Sequence, residues 1–232
     1  MLKKLFGIEG SFTGFMSKIA DLFLASVLWI LCSLPLITIV LSSSALYYAV
    51  VKCVRKERGT VTHEFIAFVK GNWKQGILTG VLYLIIGILV IFNIYAVLKM
   101  DRSTILFSVY SVESLWVGLC FVFLSIYLFP IFSRFEYRPW DCVKTSLFMA
   151  WKHVFSSIFL SVIAVPLVYF TSRFWFFAVI IPGILAFVLS FRVEKIMQKY
   201  MPEPKTGDPL PWYYDEKKYV VQDDEKSENN KK

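Results

Sequence analysis

Between residues 22 and 191 long apolar runs alternate with two shorter stretches in which aromatic and basic residues interleave. A helix needs about 20 apolar residues to cross the ~30 Å hydrocarbon of a bilayer. Runs at 22–41, 76–98, 105–132, 154–170 and 174–191 meet or approach that length. The pattern predicts an all-α fold, a polytopic membrane helical bundle of about five transmembrane helices. The third run exceeds what a bilayer requires, which predicts a tilted or protruding helix. Only Thr171, Ser172 and Arg173 separate the last two, which predicts a tight helical hairpin.

Pro35 interrupts the first run. As a single span, 22–41 relies on neighbouring helices to absorb the lost hydrogen bond. The competing reading makes 22–54 a Pro-broken hairpin that turns at Ser42, Ser43 and Ser44. Against it, residues 45–54 offer only about ten positions for the return, short for a crossing.

The polar stretches have a helical period of their own. Residues 60–75 carry Val61, Phe65, Phe68, Val69 and Trp73 among His63, Glu64, Lys70, Asn72 and Lys74. Residues 140–152 carry Val143, Leu147, Phe148 and Trp151 against Asp141, Lys144 and Lys152. Both end in Trp-Lys before a span. They predict cytoplasmic amphipathic helices in the membrane interface, acting as aromatic anchors with a cationic flank or as docking helices for a partner. Residues 34–38 and 129–133 echo one another ahead of these stretches, as a parallel duplication would, with the first and third spans sharing a direction. In the second span Gly76, Gly80, Tyr83 and Gly87 share one face, and Gly76-x-x-x-Gly80 permits close helix packing.

Composition strengthens the membrane reading: 57% of residues are hydrophobic and 18% aromatic, too apolar for a soluble domain. The net charge of +8 clusters beside the spans, where it meets anionic lipid headgroups, so nucleic acid is not an expected partner. Most of the 25 lysines and arginines fall on one side of a five-span topology, including Lys52, Arg55, Lys56, Arg58, Lys70, Lys74, Arg134, Arg138, Lys144 and Lys152. The expectation is therefore an outside N-terminus and a cytoplasmic C-terminus. Lys3 and Lys4 precede a broken, glycine-bearing stretch, so the first apolar run reads as an uncleaved helix. Residues 1–200 form the expected membrane domain and 201–232, rich in proline and charge, a flexible cytoplasmic tail. Cys32, Cys53, Cys120 and Cys142 show no CxxC spacing, and no disulfide framework is expected.

Candidate chemistry is sparse. Glu113 is the one carboxylate inside an expected span, with Asn93 near the same outer depth, and an acid there is a binding candidate by default. His63 and His153 lack metal-ligand spacing, and no nucleophile or phosphate-binding motif is present. Catalysis, a cofactor and a metal are not expected. A small-solute transporter or permease-like subunit is the alternative, although only Pro35, Pro130, Pro166, Pro182-Gly183 and a few hydroxyls would break or polarise the spans.

Trp29, Cys32, Ser33, Leu34, Pro35 and Thr38, followed by Ala45, Leu46, Tyr47 and Tyr48, resemble the YesL-like family of bacterial membrane proteins, as does Phe65-x-x-Phe68-x-Lys70-x-Asn72-Trp73-Lys74-Gln75. With Phe6-Gly7 and the overall length, the similarity covers about residues 1–200. The resemblance implies a multi-pass protein of the plasma membrane of mainly Gram-positive bacteria, surrounded by lipid. It further implies an accessory or regulatory role beside a carbohydrate-uptake system, and supplies no catalytic residues. A homo-oligomer is compatible with it. Trp29, Leu34, Pro35, Thr38, Ala45, Leu46, Tyr47, Trp73 and Lys74, with Gly76 and Gly80, are the motif and packing positions. Residues 141–152 occupy the place of a permease coupling helix but lack its Glu-Ala-Ala and following glycine, which favours an associated subunit over the permease itself.

Overall fold

Pro35 ends the first helix. The computed structural model describes residues 2–102, 105–135 and 137–201, so nearly all of the tail expected over 201–232 lies outside the described residues. Helix α1 runs Leu2–Ser33; a 3₁₀ turn at Leu36–Thr38 leads into α2, Ile39–Ala49, which continues as a π-helical segment, Val50–Arg55. There follow α3, Val61–Leu98; α4, Ile105–Arg134; α5, Pro139–Lys152; and α6, Val154–Arg173. A 3₁₀ turn, Trp175–Val179, precedes α7, Ile181–Met197. Among the described residues five helical runs are long and apolar enough to cross a membrane, Gly14–Ser33, Leu36–Arg55, Val61–Leu98, Ile105–Arg134 and Val154–Arg173.

The helix expected over 22–41 is therefore divided, and the hairpin alternative describes this region. Its turn lies at 34–38, not at the serines. Pro35 has no N–H to give, and the residue before it is pushed out of the helical region, so the break falls one residue ahead of the ring. The freed backbone is re-satisfied locally. Thr38 N–H bonds to Pro35 O at 2.9 Å, and the Thr38 hydroxyl sits 2.5 Å from Cys32 O and 2.6 Å from Pro35 O. Ser42 and Ser43 serve as clamps instead of a turn: Ser42 Oγ lies 2.7 Å from Ser33 Oγ, and Trp29 Nε1 donates to Ser43 Oγ at 3.0 Å.

Helices α1 to α4 alternate in direction. At the base of the first hairpin Lys18 pairs with Glu57 at 2.8 Å, so Lys18 lies at the same end of the bundle as the loop 56–60. That loop turns through left-handed residues, Glu57 at φ 54° and Gly59 at φ 80°. Helix α2 then lies antiparallel to the first half of α3, through Lys52–Glu64, Tyr48–Phe68, Leu41 against Gly76, and the Ile37 carbonyl against Gly80. Helix α4 pairs antiparallel with α3 through Phe68–Phe132, Tyr83–Ser125 and Asn93–Glu113. Helices α1 and α4 consequently point in opposite directions, which overturns the duplication reading. Pro35 makes a turn, whereas Pro130 stays inside α4.

The two amphipathic stretches also differ from expectation. Residues 60–75 are not a separate interfacial helix but the first half of the 38-residue α3, and their apolar stripe Val61, Phe65 and Phe68 is buried in the core. In α5 the stripe Cys142, Val143, Ser146, Met149 and Ala150 is buried likewise, while Trp140, Phe148 and Trp151 face outward. Burial pushes the Cys142 thiol up to about 12, marking it as packing material. The tight turn expected at 171–173 lies further on. Helix α6 continues to Arg173, and Pro182, which could not sit within a span begun at 174 without breaking it, falls in the first turn of α7, where its missing N–H costs nothing.

Gly80 is where the hairpin tip touches α3. A β-carbon there would collide with the Ile37 carbonyl oxygen, whereas one at Gly118 would meet nothing within 4 Å. Gly80→Ala should therefore lower stability by about 1–3 kcal/mol, the usual penalty for overpacking. Gly118→Ala should be neutral or stabilising by up to ~1 kcal/mol through helix propensity. Thermal unfolding of the detergent-solubilised protein checks both; equal behaviour of the two variants would refute the close approach.

Candidate functional site

The buried charges gather at the end of the bundle that carries the loop 56–60. Helix α7 buries a stripe through Ala186, Leu189, Ser190, Val193 and Met197 at helical spacing, and Glu194 falls on that stripe. An isolated carboxylate there would be costly to desolvate. Arg134, at the last turn of α4, meets it: Nη2 donates to Glu194 Oε1 at 2.7 Å and Nε at 3.3 Å, with both side chains only 2% exposed. The same oxygen accepts the Tyr47 hydroxyl of α2 at 3.1 Å. One carboxylate oxygen thus ties three helices that are far apart in sequence.

The π-helical segment extends this network. It directs two basic residues three positions apart to different neighbours, as a widened turn allows. Lys52 reaches Glu64 of α3 at 2.6 Å and Tyr48 Oη at 3.2 Å; Arg55 donates to Ser190 O of α7 at 2.7 Å and lies over the Phe191 ring at 4.9 Å. Between α2, α3 and α4 opens a cleft of about 340 Å³ lined by Tyr48, Glu64, Asn72, Ser133 and Arg134 among aromatic walls. At the junction of α5 and α6, His153 Nε2 lies 3.0 Å from Tyr200 Oη. Partial burial, with Lys199 and Lys152 nearby, holds its pKa below the ordinary histidine value.

The positions singled out in the sequence fall into three groups. Trp29, Thr38, Ala45, Leu46 and Tyr47 are hairpin residues that face partners or the core; Leu34, by contrast, is 74% exposed at the tip, next to Pro35. Gly76 and Gly80 form the seam with α2, and Trp73 stays exposed with Lys74 Nζ 5.6 Å from its ring. Asn93 and Glu113 come together at the far part of the α3–α4 hairpin, Asn93 Nδ2 donating to the carboxylate at 3.2 and 3.4 Å. Sequence reasoning missed Arg134 and Glu194. Both lie just beyond the apolar runs at 105–132 and 174–191, and the signal was the continuing 3.6-residue period from Phe187 through Ser190 and Glu194.

Breaking the triad on one side leaves a buried charge uncompensated. Glu194→Leu and Arg134→Leu should each cost about 3–5 kcal/mol, while the double substitution should recover much of that loss. Tyr47→Phe should cost about 1 kcal/mol. Detergent melts of the four variants decide it, and additive single effects would refute the coupling. At the α5–α6 junction the depressed pKa of His153 means that its contribution to stability is complete above pH 6.5 and is lost as pH falls below it. The stability difference between wild type and His153→Phe should therefore shrink between pH 7.5 and 5.5, followed by the same melts.

No curated protein matches this chain, and no solved structure does. Residues 22–94 match the family described as "Protein of unknown function, DUF624". That segment starts in α1 and ends near the end of α3, so it contains the whole Pro35 hairpin and its seam with Gly76 and Gly80. Over this structural unit, about a third of its length, the chain is similar to DUF624, the YesL-like family.

Proposed function

We propose that this protein is a non-catalytic accessory or regulatory component of the membrane, which acts by holding a surface against a partner protein. The observation that carries the reading is the fate of the buried charges. Arg134–Glu194–Tyr47, Lys52–Glu64 and Arg55–Ser190 join helix to helix and brace the bundle. A brace of this kind suits a scaffold, because a solute pathway needs polar groups that exchange partners during transport. The family resemblance adds the expected setting, beside a carbohydrate-uptake system of a bacterial plasma membrane.

Orientation follows from the charges. Lys18, Lys52, Arg55, Lys56, Arg58, Lys70, Lys74 and Arg134 lie toward one end of the α1–α4 set, against Lys99 and Arg102 at the other. The excess of positive charge assigns the first end to the cytoplasm. The beginning of the apolar part of α1 then lies on the cytoplasmic side, since the hairpin returns the chain where a single span at 22–41 would have crossed it.

A carrier would draw on Asn93 and Glu113, and reconstituted protein would then take up solute alone, with loss in Glu113→Gln. The accessory reading expects no such uptake across a broad solute panel. It expects instead that native-level purification of the full chain in mild detergent retains a defined membrane protein in fixed stoichiometry. Recovery of lipid alone would overturn it.

A further inference from the structure

Beyond Gly80 the α3–α4 hairpin shows its surroundings a broad apolar surface. Leu89 is 63% exposed and Phe92 67%; on α4 Val109 is 59% exposed, Val112 62% and Leu115 71%. Into this surface are set Asn93 and Glu113, an intermediate and an exposed residue respectively. Glu113 lies eight positions into α4, about 12 Å along its axis, and Asn93 five positions before the end of α3. Most outward residues on the same turns are hydrocarbon, with the hydroxyls of the exposed Tyr95 and Tyr110 toward the loop end of the hairpin, so the carboxylate is set in a largely apolar belt.

The hydrogen-bond inventory of this pair is unbalanced. A carboxylate can accept about four bonds, and here both oxygens share a single amide group, Asn93 Nδ2. Asn93 Oδ1, buried beside it, meets no donor. Among the described residues no lysine or arginine forms a salt bridge with Glu113. The Glu113 carboxylate, exposed on the outer wall of the hairpin, thus meets no cation among the described residues. A carboxylate in that position is stabilised by a charged donor that arrives on another helix. An arginine fits best, because its planar fork matches the two oxygens of the exposed Glu113 carboxylate, which Asn93 holds in place from behind.

We propose that Asn93 and Glu113 form the recognition point for a transmembrane helix of a partner protein that presents a basic side chain, with Leu89, Val109 and Trp116 as its apolar flank. This deepens the accessory reading and rests on it. A second copy of this chain is the poorer occupant, since an isologous contact at this point sets Glu113 against Glu113.

The probe is a synthetic polyleucine transmembrane helix with one arginine two turns from its outer end, compared with the same helix without it. Each is co-reconstituted with the labelled full-length protein in phosphatidylcholine vesicles, and association is read by energy transfer. The arginine helix should bind at least tenfold more tightly, and Glu113→Gln should abolish that preference. Asn93→Leu should weaken it severalfold. Equal binding of the two helices by the wild type, or a preference that survives Glu113→Gln in a protein of unchanged melting temperature, would overturn the proposal. So would self-association of the chain that depends on Glu113. In the purification above, a partner retained by wild type and Glu113→Gln alike sinks this assignment and leaves the accessory reading standing. A wild type that retains none sinks the accessory reading itself.

Discussion

A chain that turns around within an apolar setting must account for every backbone group it frees, and this constraint organises the molecule. At residues 34–38 the groups released by Pro35 are answered by Thr38, while the Ile37 carbonyl settles against α3 at Gly80, where the side chain is a single hydrogen. Irregular backbone is tolerated at such a place only when protein covers it. Helix α3 supplies that cover, and the turn fixes how far α2 reaches along it.

The charged triad acts at the other end of α2. Tyr47 sits on a fully packed stretch, and its hydroxyl, Arg134 and Glu194 converge on one oxygen. Such a pair adds little net stability over a well-packed apolar alternative, since desolvation offsets most of its attraction. What it provides is uniqueness: α7 cannot rotate by one residue without leaving Glu194 and Arg134 both buried and unmatched.

Much of the fold could be read in the sequence because hydrophobic length and helical period are local properties. The runs that became α3, α4 and α6 were legible, as was the apolar stripe of residues 61–68; in α5 the helix was legible but its expected apolar face shares only Val143 with the buried one, because small and sulfur-bearing residues, Cys142, Ser146, Met149 and Ala150, fill the contact. Pro35 was visible but its consequence was not, because whether proline kinks a helix or ends it depends on what receives the freed carbonyls. Here Thr38 receives those of Cys32 and Pro35 and Gly80 makes room for that of Ile37, while at Pro130 the helix runs on. Asn93 and Glu113 were found by their rarity in hydrocarbon. Arg134 and Glu194 were not, since at a helix end a charge looks like a solvated flank until a distant helix closes over it.

Helix α3 is one unbroken element of 38 residues, about 57 Å long, whose first half is wrapped by α2 and the polar network and whose second half bears the apolar belt. A rigid rod has few degrees of freedom. Any tilt or roll of its lipid-facing stretch must therefore reappear at Glu64 and Phe68, where α3 meets Lys52 and Tyr48 of the preceding helix.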